Sequence, residues 1–387
     1  MSEKLKDISQ IELKVPKPEW GSELANTIIE LEALRKRELK GSTPVHIFFE
    51  IKEVFQFLES IGSARIEGNH TTISEFVEKI IEEANPKKDE SLAEILNINK
   101  AISFINEFMS DNKIIDKALL LDIHKIVVGG LNREGAKVVG DYRKENVSIA
   151  NASIKPPEFI QVHEYMDSLF NFINEVQDKE NHLLKVAIAH HYFTVIHPFD
   201  NGNGRVVRLL TFLMLIKYGF NIKNGNILNP TAIFCNDRNI YYKMLSEADN
   251  GDIEKWCVYV LSGLKDEISK IDRISDIKYT TKIFNDVLED ALNKKYIDKI
   301  FYNVLSLIIK NKNMTISAGD LSVLDNMNSN IKRSRIIKKL KDVKMIKAIS
   351  GEKSRTYTIT FKENFLLRSL IKVLIQEKFI PESLNKK

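Results

Sequence analysis

One short stretch of this 387-residue chain gathers residue types that can do chemistry: Ile196-His197-Pro198-Phe199-Asp200-Asn201-Gly202-Asn203-Gly204-Arg205-Val206-Val207-Arg208. Gly202, Asn203 and Gly204 stand directly before a helical run, so free backbone N–H groups and the positive end of a helix point at one spot. Phosphate suits that spot. Arg205 and Arg208 lie three residues apart on one helical face, while Leu209, Leu210, Phe212, Leu213 and Ile216 form the apolar side. Both guanidiniums are therefore expected at the anion site. His197, held by Pro198, brings a group that titrates near neutrality beside the phosphate and is the natural base. Phe199 reads as a core anchor for the loop.

Helices must position this stretch, because three- and four-residue apolar spacing dominates the chain and strict alternation is rare. Helices are expected over Leu24 to Leu39, Val45 to Ile61, Ser91 to Met109, Asp116 to Val128, Ile160 to Val176 and Leu183 to Phe193. Gly62 and Ser63 interrupt the second, with Ser63 free to cap a new helical turn. Between Gly140 and Pro157 the pattern changes to that of a short exposed hairpin containing Val147, Ser148 and Ile149. A polar connection near Ser269–Lys282 suggests a domain boundary. The resulting divisions are an N-terminal helical region (1–90), a core (91–268), a connecting segment (269–289) and a C-terminal unit (290–387).

Hydrophobic residues make up 43% of the chain and charged residues 28%, an ordinary globular balance. The net charge is only +4, which excludes a chain that coats nucleic acid along its whole length. Two cysteines, Cys235 and Cys257, exclude a disulfide framework and favour a reducing compartment. The N-terminus lacks the apolar run of a secretory signal, and the longest apolar stretch, Val206 to Ile216, is broken by Arg208. A cytoplasmic protein without a membrane span is expected, and the plentiful Asn, Ile and Lys point to an AT-rich bacterial source.

His197 to Arg208 resembles the signature of the Fic family, H-x-F-x-[D/E]-G-N-x-R-x-x-R, at every fixed position except Asn201. Gly140-Asp141-Tyr142-Arg143 through Ile149 is similar to the family's flap, and Tyr241-Tyr242 with Leu245, Gly251-Asp252 and Trp256 to the segment after the motif helix. The resemblance implies transfer of AMP from ATP to a Tyr, Ser or Thr hydroxyl of a target protein, with magnesium present. His197 would take the hydroxyl proton. The amides of Gly202, Asn203 and Gly204 would hold the α- and β-phosphates, Arg205 the leaving pyrophosphate and Arg208 the γ-phosphate. Asn201 stands where the family has the acidic magnesium ligand, and an amide oxygen lacks a carboxylate's charge. Asp200 is its neighbouring substitute. Tyr142, Val147 and Ile149 would present the target as an added strand. Asn239, Tyr241 and Tyr242 fall where the family contacts the base. His190 and His191 lack a glutamate at zinc-ligand spacing and read as packed or surface residues.

Ser63-Ala64-Arg65-Ile66-Glu67-Gly68-Asn69 is similar to the family's inhibitory motif, [S/T]-x-x-x-E-[G/N]. Glu67 paired with Arg208 through a two-bonded ion pair would occupy the guanidinium that otherwise receives the γ-phosphate. A helix end capped by Gly68 with a solvated Glu67 is the plain structural alternative. The same site in some relatives removes AMP from its target, so direction stays open.

Ile331 to Lys344 holds seven basic residues, Lys332, Arg333, Arg335, Lys338, Lys339, Lys341 and Lys344, against Asp342 alone. Ile331, Ile336, Ile337 and Leu340 form its apolar face, and a turn at Ser350–Ser354 precedes the alternating Tyr357–Phe361. The order looks like a winged helix, a unit that serves DNA binding, target recruitment or dimerisation. The fold expectation is thus a mostly α protein: a Fic helical core with a small β-hairpin flap and a winged-helix-like α/β unit. Its partners would be ATP, a target protein, a second copy of itself as substrate or dimer mate, and DNA, but no membrane.

Overall fold

The computed structural model describes residues 6–36, 41–82, 85–110, 113–149, 152–175, 181–220, 232–351, 354–381 and 384. The order begins with β1 (Lys6–Asp7), α1 (Glu23–Lys36), α2 (Val45–Ile66), α3 (Ile73–Ile81), α4 (Glu90–Phe108) and α5 (Lys117–Val128). It continues through β2 (Ile154–Lys155), α6 (Val162–Asn174), α7 (His182–Ile196), α8 (Asn203–Lys217), α9 (Ala232–Asn236), α10 (Arg238–Asp249) and α11 (Ile253–Ser275). Then come α12 (Ile277–Asn293), α13 (Lys299–Lys310), β3 (Ile316–Ser317), α14 (Asn330–Asp342), β4 (Ile346–Ala348), β5 (Thr356–Ile359) and α15 (Leu366–Gln376). The protein is mostly α.

Local chemistry starts many of these helices. Asp89, Asp116, Asp237 and Ser329 accept backbone N–H groups at the starts of α4, α5, α10 and α14, and Thr72 with Glu75 closes a reciprocal box on α3. The chain divides into two compact units, one of residues 1–38, 59–70 and 86–269, the other of 39–58, 71–85 and 270–387. This differs from the sequence-based divisions: segments on either side of Glu59–His70 belong to the second unit, and α2 contributes to both. Nor is 269–289 a loop, because α11 runs to Ser275 and α12 starts at Ile277.

In the first unit α8 packs on α7, α5 and α4, and α6 packs on α7. Nearly every side chain of α7 and α8 is buried, as central helices of a bundle require. Gly62 does not break α2. It costs the helix about 1 kcal/mol relative to alanine, but Ile61, Ala64 and Ile66 around it are buried and offset that cost. Ser63 is accordingly a mid-helix residue and not a cap. The expected hairpin is also replaced: residues 143–149 carry no ladder, and Ile154–Lys155 pairs in parallel with Lys6–Asp7. Parallel pairing to a distant segment leaves no signal in local alternation.

In the second unit α12 packs against α15 and α13. The three-stranded sheet runs β3-β5-β4, both pairs antiparallel, with Ile316 opposite Tyr357 and Ile346 opposite Ile359. Helix α14 buries Ile337 and Leu340, whereas Ile331, assigned to its apolar face by spacing, is 67% exposed at the helix start.

Candidate active site

Helix α7 ends abruptly. His197 takes a left-handed conformation at φ 50°, a costly geometry for a residue with a side chain, and its N–H still bonds Phe193 O at 3.0 Å. The chain then doubles back through Pro198–Gly202 into α8. Gly202 has φ 84°, and a Cβ there would meet Val128 Cγ1 at 2.9 Å, so both conformation and space require glycine. Asn203 ties the loop: its Oδ1 accepts Phe199 N–H at 2.9 Å and its Nδ2 donates to Phe199 O at 2.7 Å. Phe199 itself is fully buried, as expected of an anchor.

A cavity of about 580 Å³ opens at this point, lined by His197, Asn203, Gly204 and Arg208; Gly202, expected with them, does not line it, and its N–H is held by Asn201 Oδ1. Asn239, Tyr241 and Tyr242 of α10 line it as well, with Ile149 and Ile154 from the flap segment. His197 Nδ1 lies 3.3 Å from Thr194 O, which assigns the ring proton to Nδ1 and leaves Nε2 as a lone pair. Burial, with Arg143 adding to it, pushes the imidazole down to about 4. It is neutral near pH 7, as a base must be.

Arg208 is 1% exposed and points into a set of fixed partners. Its Nε donates to Ser63 Oγ at 2.8 Å, and one terminal nitrogen donates both to Ser63 O and to Glu67 Oε1, each at 2.8 Å. The pairing of Glu67 with Arg208 is thus present, but through one bond and not two, because Ser63 takes the rest of that edge. The other terminal nitrogen is buried without a hydrogen-bond partner. Glu67 also lies against the start of α8: a Cβ on Gly204 would fall 2.2 Å from Glu67 Oε1. Only glycine admits that carboxylate.

Arg205 is not at the cavity, contrary to the spacing argument. It is fully buried, and its guanidinium donates to Glu94 Oε1 at 3.0 Å, Glu134 O at 2.8 Å and Asn201 Oδ1 at 3.2 Å. Residues three apart diverge by some 60° around a helix, enough to put one toward the cavity and one toward α4. Asp200 and Asn201 are likewise turned away. Asp200 Oδ2 accepts the N–H groups of Lys137 and Val138 at 2.6 and 3.3 Å. Asn201 Oδ1 accepts Gly202 N–H at 2.6 Å as well as Arg205, and its Nδ2 donates to Gly135 O at 3.0 Å. Neither residue lines the cavity, and the described residues contain no cluster of three or more metal-ligating side chains. As folded, this donor set does not fit magnesium.

Tyr142 does not present the target either. It is 3% exposed, its ring packs near Phe199 and His163, and its hydroxyl is buried without a hydrogen-bond partner, so it supports the flap from beneath. Ile149 does reach the cavity, while Val147 does not line it. Tyr241 is mainly core, donating its hydroxyl to His190 Nε2 at 2.9 Å, whereas Tyr242 is 44% exposed under the Arg238 guanidinium. His190 and His191 are packed as expected, the latter 2.9 Å from Asp249 Oδ1.

Four residues were given no role of their own by the sequence reading. Arg143 donates to His197 O at 2.9 Å, Glu145 O at 2.9 Å and Pro157 O at 2.6 Å, tying the flap to the histidine. His124 stacks on Phe199 at 3.9 Å, accepts Gly140 N–H through Nδ1 and so donates through Nε2 to Asn201 O, both at 3.1 Å. A histidine and a glutamate, His124 and Glu94, on apolar helix faces were the available signals. Arg238 lines the cavity and had no signal beyond its neighbour Asn239.

Residues 114–215 match the model of the Fic/DOC family. It is 30% identical over 217 residues to a protein adenylyltransferase Fic of Nematostella vectensis, covering 54% of this chain and 47% of that one. A second such protein, from Culex quinquefasciatus, is 29% identical over 241 residues, or 61% of this chain and 43% of that one. The chain therefore spans about half the length of the curated relatives it matches. The fold is that of a Fic family protein from Desulfovibrio desulfuricans, at TM-score 0.55 and 17% identity over 90% of this chain and 98% of that one. A Fic-1 structure from C. elegans aligns at TM-score 0.52 and 22% identity, over 64% and 71% of the two chains.

Proposed function

We propose that this protein is an adenylyltransferase that moves AMP from ATP to a hydroxyl of a target protein and is held off by Glu67. The observation that carries the reading is the shared cavity: a neutral His197, the start of α8 and Arg208 face one space, and Glu67 already holds Arg208. In the reaction the target oxygen forms a bond to the α-phosphorus and the bond to pyrophosphate breaks. His197 Nε2 receives the hydroxyl proton. The N–H groups opening α8 stabilise charge on the phosphates, and Arg208, once freed, takes the γ-phosphate. Arg205 takes no part, because both its terminal nitrogens are bonded behind the loop and it does not line the cavity. Asn201 and Asp200, whose side chains are bonded to Gly202, Arg205 and the 137–138 backbone, offer no ligand to the magnesium that accompanies ATP.

The target segment approaches along the flap, where Ile149 and Ile154 border the cavity. Neither cysteine is in a disulfide and both are buried, in keeping with a reducing, cytoplasmic setting, and among the described residues no helix is long and apolar enough to cross a membrane. The test is incubation of the parent, Glu67→Gly and Glu67→Gly/His197→Ala proteins with α-labelled ATP and magnesium, scoring label on protein, the chain itself included. Label gained with Glu67→Gly and lost with His197→Ala supports the reading; no label in any variant overturns it.

A second reading concerns the C-terminal unit alone. Strand order β3-β5-β4 around α14 is winged-helix-like, and Lys332, Arg335, Lys338 and Lys339 are all exposed on that helix. Such a face suits a phosphate backbone. A gel shift of the full chain with duplex DNA at rising salt tests it; absence of a shift at low salt discards it.

A further inference from the structure

Both arginines of α8 are tied to the inhibitory turn, by different routes. Arg208 reaches it directly through Ser63 and Glu67. Arg205 reaches it through one carboxylate: Glu94 Oε1 accepts from Arg205 at 3.0 Å, and Glu94 Oε2 accepts from Asn69 Nδ2 at 2.8 Å. Asn69 stands two residues beyond Glu67. Its side chain also donates to Ser91 O at 2.9 Å, and its backbone N–H returns to Ala64 O at 3.1 Å. On its far side Arg205 donates to Asn201 Oδ1, the same oxygen that holds the Gly202 N–H.

We propose that Glu94 and Asn69 are positioning residues that latch the inhibitory turn to the loop leading into α8, so that release of Glu67 and the setting of the Gly202 amide are one event. The physical grounds are burial and tolerance. Glu94 is 1% exposed and Arg205 is fully buried, and a buried ion pair repays its desolvation only when the remaining lone pairs find donors. Asn69 is such a donor. Burial raises the Glu94 carboxyl against the pull of Arg205 and Asn69, so the carboxylate depends on both. Tolerance is tight because the Glu67 carboxylate occupies the space a Cβ on Gly204 would take, so a small displacement of the turn removes its seat. Asn201 fits the same scheme: with its oxygen shared by Arg205 and Gly202, a neutral amide bridges the latch and the loop.

The latch deepens the inhibitory reading of Glu67 and rests on it, so its test has a readout independent of transfer. Because Glu94→Gln strips Arg205 of its counter-charge, Asn69→Ala carries the experiment. In residue-resolved hydrogen exchange, Asn69→Ala is expected to speed exchange at Gly68 and at Gly202 by about tenfold or more, the scale of losing a charge-assisted hydrogen bond. A purely local role in the turn would leave Gly202 unmoved. With α-labelled ATP, Asn69→Ala should raise labelling of the full chain several-fold and add nothing to Glu67→Gly. Unchanged exchange at Gly202, or equal gains with and without Glu67, overturns the latch. If Glu67→Gly itself yields no label, the transferase reading fails while the Gly202 amide still decides the latch.

Discussion

Arg208 and Arg205 leave α8 one turn apart and are equally buried, yet their surroundings do opposite things. Around Arg208 the partners are a hydroxyl, a carbonyl and a carboxylate whose side chain is 25% exposed, and one terminal nitrogen has no partner. Around Arg205, whose Nε likewise has no partner, the carboxylate is 2% exposed and carries a second donor on its other oxygen. The first is an arrangement a ligand can displace; the second is a wall. One helix thus holds a replaceable charge pair on its cavity side and a permanent one behind, and the loop between them inherits both.

The sharpest way to separate the two sides is chemical. His197→Ala, made in the Glu67→Gly background, should lower AMP transfer by about 10²–10⁴-fold, the usual scale of a general base, with little change in melting temperature. A retained rate would remove the base from the cavity side.

Stability should divide the other way. Glu94→Ala strands a buried Arg205 and is expected to cost about 3–5 kcal/mol in denaturant unfolding, whereas Glu67→Ala, breaking a partly solvated pair, should stay within about 1 kcal/mol. Equal costs would erase the distinction between wall and cavity.

Gly204→Ala targets the cavity side with one methyl group. Alanine favours the helix by up to about 1 kcal/mol, but its Cβ takes the place of the Glu67 carboxylate. Unfolding free energy should therefore change little, while the activating effect of Glu67→Gly disappears because Glu67 is already displaced. A full further gain from Glu67→Gly would show that the seat is not where inhibition acts.

Dependence on pH gives a further expected effect. Burial pushes both His124 and His197 down to about 4, below the usual 6.5 of the unfolded chain. Between those values the unfolded state binds more protons, so stability is full above about pH 6.5 and is lost as pH falls toward 4. Thermal melts should trace that slope, and His124→Asn should flatten it without touching the Glu67–Arg208 pair. A slope unchanged in His124→Asn would remove His124 from the loop's support.

Legibility in the sequence followed how local each interaction is. The helices of the first unit were readable from apolar spacing, and the His197–Arg208 stretch from its residue types alone. The parallel pairing of Lys6–Asp7 with Ile154–Lys155 was not, since it joins segments nearly 150 residues apart. Gly62 misled for a related reason: its local cost is real, and only burial of its neighbours overrides it.

What the sequence by itself determined is the chemistry available at the start of α8: a histidine, a glycine loop, two arginines and a glutamate motif upstream. Those follow from covalent order and helical period. Only the tertiary structure decided which arginine meets the cavity, that Asn201 and Asp200 turn to the backbone behind the loop, and that Glu94 stands between Asn69 and Arg205. Spacing fixes a side chain's angle about its own helix, but whether it meets solvent or a buried carboxylate depends on packing partners contributed by distant segments.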